Sequence, residues 1–161
     1  MNLIIFIVII VLASAILFIG RFYGSKMPVP AGVGTGDLAN CELSPTCIST
    51  LSKEDSHRIE PLTLKEHQTP ADAISILAEI LVASARSRVI MKNDTYLHVE
   101  NHGLILNLID DIEFLVDKER RQIHARLASR LNVGGTNASR ARYTTISKEF
   151  AIRSIPDENP V

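Results

Sequence analysis

Between Leu106 and Arg130 the chain alternates in a way that only an antiparallel hairpin satisfies. Along the first arm Leu108, Ile112, Phe114 and Val116 share one parity, while Asp111, Glu113 and Asp117 share the other. Along the second arm Ile123, Ala125, Leu127 and Ser129 fall on one face, and His124, Arg126 and Arg130 on the opposite one. Lys118-Glu119-Arg120-Arg121 is a polar turn between them. Folding the arms about that turn sets Phe114 opposite Ala125, Val116 opposite Ile123, Ile112 opposite Leu127 and Glu113 opposite Arg126. Apolar partners then meet on one face and opposite charges on the other, and a slip of one residue would destroy both matches.

Other elements assemble around this hairpin. Thr69-Pro70-Ala71-Asp72 is a helix start, with a Thr cap, Pro in the first turn and an acid at the third position. The spacing of Ala73, Ile74, Leu77, Ile80, Leu81 and Ser84 predicts a helix over 70–86. His57 to Leu64 reads as a short strand made edge-like by Pro61. Val89 to Lys92 and Tyr96 to Glu100 flank the turn-rich Asn93-Asp94-Thr95. After a Gly-containing loop from Asn132 to Asn137, a helix over 138–152 carries Tyr143, Ile146 and Phe150. The expected fold class is α+β, an antiparallel sheet with helices packed on one face, preceded by an N-terminal transmembrane helix.

The N-terminus supplies that last expectation. From Leu3 to Ile19 no residue is charged, and Arg21, Phe22 and Tyr23 follow. Residues 3–20 are long enough to cross most of a hydrocarbon layer, and they lack the polar face of a core helix. No Lys or Arg precedes the run, which is longer than a signal-peptide core, so an uncleaved signal-anchor is expected. The organisation is then 1–23 as anchor, 24–40 as a Pro/Gly-rich linker, 41–155 as the folded domain and 156–161 as a flexible tail. Arg21 and Lys26 favour a cytoplasmic domain, whereas a cysteine pair favours an oxidising compartment. The balance leans to the periplasmic side of a bacterial-type inner membrane.

Cys41-Glu42-Leu43-Ser44-Pro45-Thr46-Cys47-Ile48-Ser49 resembles the opening motif of an uncharacterised family, domain of unknown function 1499. That motif runs Cys, Pro, a variable residue, Ser, Pro, Asn, Cys, Val, Ser. Tyr96-Leu97-His98-Val99-Glu100 and Ile109-Asp110-Asp111-Ile112-Glu113-Phe114 are similar to two further blocks. Arg126-Leu127-Ala128-Ser129-Arg130 matches its Arg-Ser-Ala-Ser-Arg block with Leu127 in place of Ser. The resemblance spans about Cys41 to Arg142. It departs in the loop after the arginines, where Asn132, Gly135, Asn137 and Ser139 stand for the usual Gly, Asp, Gly and Asn; Arg142 is retained. The resemblance implies a class of domain and supplies no reaction.

The candidate chemistry is limited. A net charge of −1 excludes a dedicated nucleic-acid binder. Cys41 and Cys47 could form a disulfide, remain structural thiols, or ligate a metal. The histidines at 57, 67, 98, 102 and 124 are too scattered to complete a zinc site, so no metal and no cofactor is expected. Asp110, Asp111 and Glu113 form an acidic cluster, of the kind a hydrolase uses as general acid and base. Glu113 also has a simpler role opposite Arg126, and Asp110 shares the apolar parity, where a carboxylate needs N–H or arginine partners. Residues 118–153 hold nine Lys+Arg against two Asp+Glu, and 27–117 hold six against fourteen. Arg126, Arg130, Arg140 and Arg142 around Gly134-Gly135 are therefore the candidate anion site. The expected partners are the membrane, through residues 3–20, and a protein or a small anionic ligand. The leading reading is a membrane-anchored binding or envelope-associated module with no catalytic residue assigned. The alternative is a hydrolase using the acidic cluster with the arginines.

Overall fold

The structure is a computed structural model that describes residues 2–24, 37–39, 41, 44–83, 86–103, 108–130 and 135–155. Most of the expected linker, Gly134 and the expected tail lie outside the described residues. The elements in chain order are α1 (Asn2–Gly24), β1 (Ile48–Ser49), β2 (Leu62–Thr63), α2 (Pro70–Val82), β3 (Ser87–Lys92), β4 (Tyr96–His102), β5 (Ile109–Asp117), β6 (Gln122–Ser129) and α3 (Asn137–Arg153).

The folded domain is α+β. Strands β3 to β6 form an antiparallel meander, and β1 and β2 both return to the free edge of β6, giving the order β1-β6-β5-β4-β3 with β2 pairing β6 farther along the same edge. The β5–β6 register is the one the alternation demands: Ile112 opposite Leu127, Glu113 opposite Arg126, Phe114 opposite Ala125 and Val116 opposite Ile123. Arg121 closes the turn in the left-handed region at φ 51°. Helices α2 and α3 cover one face, where Ile74, Leu77, Tyr143, Ile146 and Phe150 pack with Ile48, Leu97, Val99, Ile112, Phe114 and Leu127. Thr69 and Asp72 form a reciprocal capping box at the start of α2, as the sequence requires.

Two elements are shorter than expected. Helix α2 ends at Val82 rather than near residue 86. The strand expected over His57 to Leu64 is only Leu62–Thr63. Before the ring of Pro61 turns the chain, this segment is spent on β1 instead: Ser49 N–H donates to the His57 carbonyl and Ile59 N–H to the Ser49 carbonyl. Strand β3 carries a bulge between Val89 and Met91.

Every described side chain of α1, residues 3–19, is exposed. Among the described residues no helix is long and apolar enough to cross a membrane. The membrane crossing expected of residues 3–20 is therefore not supported by the described helices.

Candidate functional site

Pleating sorts the polar residues of the meander into two systems, one on each face of the sheet. The first lies on the face away from α2 and α3. Here β4 contributes Tyr96, His98 and Glu100, β5 contributes Asp111 and Glu113, and β6 contributes His124 and Arg126. The register lines up His98, Glu113, Arg126 and Ser49 as one rung across four strands. Although its composition reads as a solvated face, His98, Asp111, Glu113 and Arg126 are all within 3% of complete burial. Part of the cover is Cys41 and Cys47, which a disulfide joins and which pack against Ala128 on this face. Of the three states open to these cysteines in the sequence, the bonded one is present.

Buried charges persist only with partners, and each carboxylate oxygen of Asp111 and Glu113 has one. Glu113 accepts from the Tyr96 hydroxyl at 2.6 Å on one oxygen and from Arg126 Nη1 at 2.6 Å on the other. Asp111 accepts from His98 Nε2 at 2.8 Å and from Arg130 Nε and Nη2, each at 2.8 Å. Arg130 also reaches Glu100. Burial pushes the Asp111 carboxyl up, but the hydrogen bonds from Arg130 and His98 outweigh it and hold the group below the usual carboxylate range. The same pair raises Arg130. Burial, then the bond to Glu113, drives the Tyr96 phenol far above its ordinary value, so it stays protonated. Two nitrogens, His98 Nδ1 and Arg126 Nε, have no hydrogen-bond partner.

The second system lies on the helix side, at the end of the sheet. Ser87, Asn101, Asp110 and Ser129 form one rung across β3, β4, β5 and β6. The first turns of α3 roof it, and Arg142 Nη1 donates to Asp110 Oδ2 at 2.5 Å. Two hollows flank this ion pair and share Ile112 and Arg142 as a wall. One, of about 170 Å³, is lined by Thr46, Asp110, Ser129 and Ser139. The other, of about 330 Å³, is lined by Ile80, Leu81, Arg86, Ser87, Asn101 and Ile146.

The residues singled out in the sequence are thus divided. Asp110 sits on the helix side, and Asp111 and Glu113 on the opposite face. The four arginines do not converge. Arg126 and Arg130 serve the buried network, Arg142 holds Asp110, and Arg140 ties α3 to the loop before β2 through the carbonyls of Ser56 at 2.6 Å and Arg58 at 3.0 Å. Among the described residues no group of three or more His, Cys, Asp or Glu side chains is placed to hold a metal. Tyr96, His98 and Glu100 were missed as members of the network, although their alternation along β4 places them on one face. The Ser87–Asn101–Asp110–Ser129 rung has no local signature; it exists only once three registers are combined.

A paired, buried polar sheet face with a cleft at the sheet's end defines the class: an α+β domain built on a four-strand meander, with two short strands returning to its last edge. The chain belongs to the family described as Protein of unknown function (DUF1499), whose model matches residues 37–150. No curated protein and no solved structure gives a significant match.

Proposed function

We propose that the protein is a ligand-binding module held at a membrane by its N-terminal helix, with the domain on the periplasmic side, and that it is not a hydrolase. The observation that carries this reading is the pairing of the acidic cluster. Asp110, Asp111 and Glu113 are each held by a different arginine, on two faces of the sheet, at 2.5 to 2.8 Å. A general acid needs a carboxyl raised toward neutrality, and a general base must reach its substrate, whereas Asp111 and Glu113 are within 1% of complete burial. Asp111 is shifted the other way. The tether is supported by the uncharged apolar run from Leu3 to Ile19, which lies within α1. Its described side chains are exposed and uncharged, which favours a lipid environment. The disulfide supports the periplasmic side, because such bonds persist where thiols are not kept reduced.

The test is a carboxyl-carbon NMR titration of the full-length protein, with carbonate extraction of membranes alongside. Asp111 is expected to titrate below the ordinary carboxylate range, and the protein is expected to stay with the membrane pellet. A carboxyl among the three that titrates well above the ordinary range, together with turnover of an ester, phosphate or glycoside, would establish the hydrolase instead. Release by carbonate would remove the tether.

A further inference from the structure

We infer that the hollow between α2, α3 and the end of β3–β5 binds a single-chain alkyl carboxylate, its head group on Arg142 and Arg86 and its tail along Ile80, Leu81, Ile112 and Ile146. This deepens the binding reading above and rests on it.

The lining divides sharply by chemistry. Four aliphatic side chains form the apolar part, and the charged groups are two arginines with no carboxylate in the lining itself. Only Nη1 of Arg142 is spent on Asp110; among the described residues its Nε and Nη2 meet no acceptor, and the side chain is 36% exposed. Arg86 makes no ion pair among the described residues. Ser87 Oγ accepts from Asn101 Nδ2 at 2.9 Å, so its own O–H is left to donate. Donors outnumber acceptors in a hollow whose apolar wall is wholly aliphatic, and its volume of about 330 Å³ lies at the lower end of the range for small-molecule sites.

That combination selects an amphiphile. An inorganic anion would engage the arginines and leave the aliphatic wall wet. A neutral hydrocarbon would cover Arg86 and Arg142 without giving their N–H groups an acceptor, at a desolvation cost. A carboxylate matches the planar donor fork of arginine, and an alkyl tail matches the wall. Asp110 fixes Arg142 in place and competes with the ligand for it.

The test titrates [1-13C]octanoate into the full-length protein in zwitterionic nanodiscs, with empty nanodiscs as the blank. A saturable shift of the carboxyl carbon is expected. Octanol, which has the tail alone, and acetate, which has the head alone, should each bind about tenfold more weakly or worse. Arg86→Gln leaves the Asp110–Arg142 pair intact and should weaken octanoate several-fold; R86Q/R142Q should weaken it at least about tenfold. Octanol binding as tightly as octanoate, no effect of Arg86→Gln in a folded protein, or no saturable shift would overturn the inference. Because the carboxyl titration of Asp111 involves no ligand, its outcome tests the non-hydrolytic reading separately. Failure with octanoate alone therefore condemns only the ligand class.

Discussion

Over β4 to β6 the two faces of the sheet are both out of water, yet they are held there by opposite means. On the helix side, Leu97, Val99, Ile112, Phe114 and Leu127 are buried against aliphatic and aromatic side chains of α2 and α3. This burial is non-directional, and its contribution scales with area. On the other side, His98, Asp111, Glu113 and Arg126 are as deeply buried, but each depends on a particular partner at a particular atom. The first face tolerates exchange of one apolar shape for another. The second tolerates the loss of a whole pair far better than the loss of half of one.

The sharpest way to break that comparison is to unpair the charged face. Arg126→Ala strands the Glu113 carboxylate and should cost about 3–5 kcal/mol in equilibrium unfolding, several times the roughly 0.5–1.5 kcal/mol expected for Ile112→Val on the helix side. The double change Glu113→Leu with Arg126→Met should recover most of the loss. A single Arg126→Ala effect no larger than that of Ile112→Val would mean that the second face is open to water after all.

A smaller effect tests the cover of that face. Replacing both cysteines by serine removes the cross-link between Cys41 and Cys47, six positions apart, and a loop this short should lose roughly 2 kcal/mol. Hydrogen exchange should rise first at the amides near Ala128. If exchange rises uniformly instead, the disulfide stabilises the domain without covering the charged face.

The smallest effect is a pH step. Burial holds the His124 imidazole below its ordinary pKa, partly opposed by Asp117. Folding therefore disfavours its proton, so stability should fall as pH drops below the unfolded value of about 6.5 and level off below the folded value. Asp111 acts in a lower window. Its stabilising contribution is present above the unfolded carboxylate pKa and is lost as pH falls through its depressed folded value. His124→Gln should remove the upper step and leave the lower one, as read from melting temperature against pH.

The comparison also marks how far the sequence could be read. Alternation along β5 and β6 revealed which residues share a face and how Glu113 meets Arg126, because period and pairing are local properties. The capping box at Thr69 was legible for the same reason. Alternation does not say whether something covers a face, so the depth at which Glu113 and Arg126 lie was hidden until Cys41 and Cys47 were seen to pack on Ala128. The cleft was hidden differently. Arg142 and Asp110 were both singled out, but their pairing across 32 positions depends on how α3 lies over the sheet. The basic residues were read as one surplus because charge counts along a chain carry no information about the side of a sheet.

The return of β1 and β2 to β6 has a consequence for how the chain comes into being. Strands β3 to β6 pair with their sequence neighbours through short connections, so that unit closes quickly once synthesised. Ile48 must instead wait for Leu127, and Leu62 for Ile123. A chain emerging N-terminus first, with α1 leading, thus exposes two short segments whose docking edge is made almost last. The cysteines six positions apart are under no such delay, and their bond can form while the rest of the domain is still unmade. For a domain translocated as it is synthesised, the cross-link would come first, and the sheet face it helps to cover would come last.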